Sequence, residues 1–212
     1  MSRSEQRIPK LRSRGRENRC RLLAEAQRLL LESDGSRLKF SDVFEAAGVS
    51  RGSAYRIYDG IDDLLQDLAS EWVNNFVEYL ETSAPRETPA SWAQLSDFIV
   101  RRAADYWTET SDTMRVLPRI RSITSSSYNS AIQAMSDCMA ELFDRYFVIP
   151  AEPGWDSKMS FYTQICDIAF ADAVRADGLI GERRVAEAAT LCRTYLAFHL
   201  PPRLPPRDRA DT

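Results

Sequence analysis

Residues 41–58 read SDVFEAAGVSRGSAYRIY. The first half, 41–47, carries a helix signature. Ser41 is placed to accept a hydrogen bond from an amide at the helix start, Asp42 sits near the positive end, and Val43, Phe44, Ala46 and Ala47 form an apolar face. Gly48 follows, and glycine takes the left-handed conformation that ends a helix at little steric cost. Val49 is one apolar residue in the turn, and Ser50 reads as the cap of a second short helix over 51–58. Two short helices across a tight glycine turn are the helix-turn-helix pattern, whose second helix lies in the DNA major groove. Here that helix carries Arg51, Ser53, Tyr55 and Arg56, which can donate to phosphates and base edges, and it holds no acid. Taken alone, the pattern also fits a helical hairpin in any all-α protein, so the flanking sequence decides.

Upstream, Leu22, Leu23, Ala26, Leu29 and Leu30 recur at three- and four-residue spacing and predict a first helix over 16–33, ended by Asp34-Gly35. Arg16, Arg19 and Arg21 near its start oppose the helix dipole, which an external anion would offset. The run AAGVSRGSAYRIYDGIDDLL, preceded by RLLAEAQRLLLESDG, resembles the tetracycline-repressor-like (TetR) family of transcriptional regulators. The resemblance covers residues 16–70 and rests on the first-helix leucines and Ala26, then Gly35, Asp42, Ala47, Gly48, Val49, Ser50, Gly52, Tyr55, Leu64 and Leu65. It implies a DNA-reading head whose contacts come from Lys39, Ser41, Ser50, Arg51, Gly52, Ser53, Tyr55, Arg56 and Tyr58. Four positions depart from the family pattern. Lys39 stands where Thr or Ser usually opens the second helix, Phe44 where a small residue is usual, and Tyr58 where Phe is usual. Ile61 replaces a lysine that typically meets a phosphate. The departures leave the fold reading intact and bear on individual phosphate contacts.

Charge agrees with that division. Residues 1–60 hold 13 Lys and Arg against 8 Asp and Glu, a net +5; residues 61–212 hold 15 against 23, a net −8. A basic amino-terminal quarter on an acidic remainder points to a polyanion partner for that quarter. Residues 1–15, with Arg3, Arg7, Lys10, Arg12 and Arg14, read as a disordered basic arm that either reaches DNA or is an inert tail. Cys20, Cys138, Cys166 and Cys192 form no CxxC pair and the chain has one histidine, so no metal site is expected; the thiols read as reduced, in a cytoplasmic protein. The amino terminus has no secretory apolar segment, and no apolar run approaches the roughly 20 residues of a membrane span.

The rest of the chain reads as helices. Asp59 is placed to cap a fourth over 59–83, with Asp62 and Asp63 in its first turn. Further helices are expected over 92–108, 112–124 (divided by Pro118), 127–148, 156–176 (stopped by Gly178) and 182–200, before an extended or disordered Pro-rich tail, 201–212. The expected fold is all-α with about nine helices: a helix-turn-helix head over 16–62 and an effector-binding and dimerisation body over 63–200.

The family resemblance implies that the last two helices pair with their copies as a homodimer. Phe161, Ile165, Ile168, Ala169 and Ala173, with Val185, Ala188, Ala189, Cys192, Tyr195 and Leu196, are the residues proposed for that face; the same residues also read as simple internal core. It also implies a small-molecule site in the body. Candidates are Phe76, Phe98, Trp107, Met135, Met139, Phe143 and Tyr162, with Tyr79 and Met114 beside them and Arg101, Arg102 and Asp105 as polar orienting groups; the same stripe also reads as plain core. His199 is the single histidine and no phosphate-binding glycine motif is present, so an enzyme reading has little material and no cofactor is expected. The expectation is a dimeric regulator, a repressor of a palindromic double-stranded DNA operator released by a small apolar or aromatic effector. The alternative is a helical binding or scaffold protein whose head no longer uses DNA.

Overall fold

The described residues of the computed structural model are 7–32, 38–110, 125–151 and 153–207, with the backbone alone at 7–12, 125–128 and 131. Among them the regular structure is eight α-helices and one isolated antiparallel bridge, Phe147 to Pro206. The helices are α1 (Arg7–Glu32), α2 (Phe40–Ala46), α3 (Arg51–Ala54), α4 (Ile61–Ser83), α5 (Trp92–Glu109), α6 (Ser125–Tyr146), α7 (Trp155–Asp177) and α8 (Glu182–Ala197). The fold is all-α. The expected helix over 112–124, with Met114 and Pro118, lies outside the described residues, as do residues 1–6, the Asp34-Gly35 turn and the tail beyond 207.

Two compact units divide these elements. One holds α1, α2, α3, α4 through Glu71, and residues 125–128; the other holds α4 from Trp72 and the remaining helices. The division falls inside α4, after Glu71, and Arg19 of α1 pairs with Asp67 and Glu71 on the head side of it.

In the first unit α1 packs against α2 and α3, and α2 against α3. Leu22, Leu23, Ala26 and Leu30 meet Phe40, Val43, Phe44, Ala47, Val49 and Ala54 as one buried set. Phe44, where the resemblance expects a small side chain, is absorbed edge-on by Phe40, ring centroids 5.6 Å apart. The corner between α2 and α3 closes as a two-bond C-cap. The Val49 N–H donates to the Phe44 carbonyl at 2.9 Å and the Gly48 N–H to the Glu45 carbonyl at 3.0 Å. Gly48 holds φ +60°, and a Cβ there would lie 2.8 Å from Nη2 of Arg21, whose guanidinium donates to the Ala47 carbonyl.

Several helix ends differ from the sequence reading. α1 begins at Arg7, so residues 7–15 continue the first helix and are not a disordered arm. Pro9 falls in the first turn, where amides have no partner within the helix and proline costs little, and Lys, Leu and Arg around it are good helix formers. α2 opens at Phe40, with Lys39 at the cap position. A lysine side chain cannot accept, so the Asp42 carboxylate takes the Lys39 N–H at 3.4 Å. Ser41 is therefore not the cap; its hydroxyl donates to Asp42 at 3.1 Å. Asp59 is not a cap either, since its own N–H donates to Asp63 at 3.1 Å and α4 starts at Ile61. α3 is a single helical turn continued by bonds from the Ile57 and Tyr58 N–H groups to the Ala54 carbonyl.

In the second unit α8 packs on α7 and on α5. Gly178 ends α7 at φ +74°, as its position in the sequence predicts. The Pro-rich tail is not loose over 201–207. The Trp92 indole donates to the Pro201 carbonyl at 2.8 Å, the Val148 N–H to Pro205 at 2.9 Å and the Arg207 N–H to Tyr146 at 2.9 Å, while Leu204 is buried. Prolines lack donors but keep their carbonyls, so an extended Pro-rich strand can still be tied from one side.

Replacing Gly48 tests the corner. Gly48→Ala should lower unfolding free energy by about 1–2 kcal/mol, the cost of a left-handed Cβ, read as a lower urea midpoint with unchanged slope.

Candidate nucleic-acid interface

α3 owes its start to Ser50. Its Oγ accepts the Ser53 N–H at 3.3 Å and donates to the Ser53 hydroxyl at 2.9 Å. Ala54, fully buried, turns one side of this short helix into the head. The opposite side carries Arg51, Gly52, Tyr55 and Arg56, all exposed, with Ser53 half-buried. The Arg51 guanidinium lies 5.6 Å from the Tyr55 ring centroid, and the Arg56 Nε donates back to the Gly52 carbonyl at 3.1 Å. Tyr55 is 47% exposed, yet its ring edge rests against Phe40 at 5.1 Å, which fixes where its hydroxyl points. A Cβ at Gly52 would meet nothing within 4 Å, so the outer side of α3 is open at that point. Lys39 is exposed at the start of α2, and Ser41 half-buried beside it.

Of the nine sequence-predicted DNA positions, Tyr58 does not belong to this surface. It is 4% exposed, and its hydroxyl donates to Asp67 Oδ2 at 2.5 Å. Asp67 is also gripped by Arg19 through two bonds of 2.7 Å, Nε to Oδ2 and Nη2 to Oδ1. The Arg19 guanidinium, ahead of the smaller opposing effect of burial, holds the Asp67 carboxyl below its ordinary range. Burial first, then the bond to Asp67, pushes the Tyr58 phenol up. The sequence reading missed this network. Its one trace in the sequence is a phenol where phenylalanine is usual; Arg19, which the reading placed near a helix start, lies in the middle of α1. Arg21 likewise answers an internal group, the Ala47 carbonyl. So two of the three arginines Arg16, Arg19 and Arg21, which lie in the middle of α1, serve the fold rather than an external anion.

The seven ligand candidates fall into separate groups. Phe76 stacks on Trp107 with centroids 5.4 Å apart, joined by Tyr106 and Tyr79. Phe143 meets Tyr162 edge-on at 6.2 Å and Trp155 at 6.1 Å. Met139 Sδ accepts from the Thr163 hydroxyl at 3.4 Å, and the Tyr162 hydroxyl bonds with that of Ser96 at 3.1 Å. Met135 is buried, whereas Phe98 is half-exposed with the Arg102 guanidinium 5.9 Å from its ring centroid. Arg102 pairs with Asp105 at 2.6 Å and Arg101 with Glu182 at 3.2 Å.

Solved structures share this arrangement. A TetR-family regulator from Streptomyces coelicolor aligns with a TM-score of 0.67 at 17% identity, over 86% of this chain and 99% of that one. A TetR-family regulator from Marinobacter aquaeolei aligns with a TM-score of 0.59 at 12% identity, over 87% and 97%. The TetR-family repressor AlkX from a Dietzia strain aligns with a TM-score of 0.55 at 16% identity, over 85% and 94%. The chain has the TetR-regulator fold. No family model matches the sequence, and no curated protein does. The TetR-like resemblance of residues 16–70 is thus joined by a fold likeness over most of the chain. Among the described residues no helix is long and apolar enough to cross a membrane.

Asp67 gives a pH test of the head. A carboxyl whose folded pKa is depressed stabilises above its unfolded value, about 3.9, and loses that contribution as pH falls through the folded one. Asp67→Asn should cost about 1–2 kcal/mol at neutral pH, and the gap from the parent protein should close below about pH 4 in thermal melts.

Proposed function

We propose that this chain is a dimeric, ligand-responsive DNA-binding transcriptional regulator, a repressor acting in the cytoplasm and released by a small apolar or aromatic effector. The observation that carries the reading is the solvent-facing row Arg51, Gly52, Tyr55 and Arg56 on a Ser50-capped helix. They lie within residues 1–60, whose net charge is +5. Two guanidinium groups and a phenol held by its neighbours match phosphate oxygens and base edges of the major groove, and Gly52 lets the duplex approach the backbone. Lys39, Ser41, Ser50 and Ser53 add donors around this row.

A dimer is supported by the outer sides of α7 and α8. Phe161, Ile168, Leu191 and Phe198 are more than half exposed, Phe198 at 80%, and Phe161 packs on Tyr195 at 5.0 Å. This is not the full set read from sequence. Ala173, Val185, Ala188, Cys192 and Leu196 are buried within the chain, while Leu191 and Phe198 take their place outside. The aromatic groups around Phe76 and Phe143 support an apolar or aromatic effector. In this reading effector binding favours a body conformation that changes the head through α4, which belongs to both units, and the paired heads then lose the spacing of the operator half-sites.

Binding to duplexes selected from random sequence tests the reading. The selected site should be a palindrome, and Arg56→Ala should weaken binding to it by roughly 1–3 kcal/mol. If no duplex is retained even at low salt, the regulator reading falls and the helical binding-protein alternative, suggested by Ile61 in place of a lysine, takes its place. For the dimer, Leu191→Glu with Phe198→Glu should shift sedimentation from dimer to monomer while helical circular dichroism is retained.

A further inference from the structure

Two thiols of the second unit have no part in the reading above. Cys166 on α7 and Cys192 on α8 lie with their sulfurs 3.4 Å apart, 26 positions apart in the chain. Both are enclosed, at 4% and 0% exposure. Besides the Cys166 sulfur, the Cys192 sulfur has the Tyr162 carbonyl 4.0 Å away. Small neighbours on the same helices, Ala173 and Ala188, are fully buried, so the two helices already approach closely. A disulfide needs the sulfurs at about 2.05 Å, a closure of roughly 1.4 Å that side-chain rotation and a slight helix shift can supply.

We propose that Cys166 and Cys192 are an oxidisable pair that closes to an intrachain disulfide under hydrogen peroxide, clamping α7 to α8. The chemistry balances. The sulfur of Cys166, the less enclosed of the two residues, attacks the peroxide oxygen; the O–O bond breaks, the thiol proton leaves with the departing oxygen as water, and Cys166 becomes a sulfenic acid. The Cys192 sulfur then attacks the Cys166 sulfur, the S–O bond breaks, and the Cys192 proton leaves with hydroxide as a second water. Two thiols lose two electrons and the peroxide gains them. The bond to Cys192, together with burial, pushes the Cys166 thiol up, so attack waits on opening of the α7–α8 contact and runs slower than at exposed Cys20. A closed clamp would fix the helices whose outer sides carry Phe161, Ile168, Leu191 and Phe198. That consequence rests on the dimer reading; the oxidation itself does not.

The test uses the full chain as Cys20→Ser, which removes exposed-thiol crosslinking. Reduced protein is treated with excess hydrogen peroxide, remaining thiols are alkylated, and peptides are mapped without reduction. The proposal expects a single-chain Cys166–Cys192 linked peptide, loss of two hydrogens in intact mass, and a Tm raised by roughly 5–10 °C that dithiothreitol reverses. With Cys192→Ser in addition, the Cys166 sulfenic acid has no partner and is trapped by dimedone. Both thiols remaining alkylatable after oxidation, Cys166 passing to sulfinic acid beside an intact Cys192 thiol, or links that join Cys138 or two chains would each overturn it. None of these readouts uses DNA, so an absent operator leaves this result standing, and an absent disulfide leaves the operator measurement standing.

Discussion

One carboxylate holds the first unit together. Asp67, near the start of α4, accepts a two-pronged guanidinium from α1 and a phenol from the residues just after α3. α3 is only four residues long and cannot hold its own orientation through helical bonds alone. It is fixed from both ends. Ser50 sets its start, and Tyr58, drawn in by Asp67, sets the path that leaves it. The surface that presents Arg51, Tyr55 and Arg56 is therefore as well defined as this half-buried polar contact. The arrangement also suits a chain in which charge must be spent carefully. Arg19 lies midway along α1, away from the partial charges of its ends, and paired across to α4 it neutralises the acid that anchors the turn.

The sequence reading succeeded where the cause was local. Gly48 and Ser50 could be placed because a left-handed corner and a short hydroxyl at a helix start are demands of the backbone within a few residues. It failed where the cause lay far along the chain. Tyr58 reads as a surface aromatic until its partner nine residues on, and that partner's own partner 48 residues back, are brought together. Arg21 reads as a free positive charge until the Ala47 carbonyl is beside it. Helix ends shifted for similar reasons. Lys39 took the cap position because Phe40 is pulled into the head core, leaving Asp42 to satisfy the first amide.

The carboxy-terminal helices show a subtler limit. Periodicity revealed that α7 and α8 have apolar surface to spare, but not which stripe would face inward. Cys192 and Leu191 are neighbours in sequence, yet one is wholly enclosed and the other more than half exposed. A rotation of one residue about the helix axis, about 100°, exchanges the two roles, and only the packing of α8 against α5 and α7 decides it.

The tie between the two ends of the second unit governs when that unit can be finished. Trp92 waits for Pro201, 109 positions later, to satisfy its indole, and the end of α6 waits for Pro205 and Arg207. Asp97 likewise meets Arg193 only when α8 exists. During synthesis the contacts among α1, α2, α3 and the start of α4 can form early, while the body must stay open until residues 201–207 have been added. The amino-terminal quarter can thus mature on a nascent chain whose remainder is still a set of unclosed helices, exposed to whatever cellular machinery shields unfinished proteins.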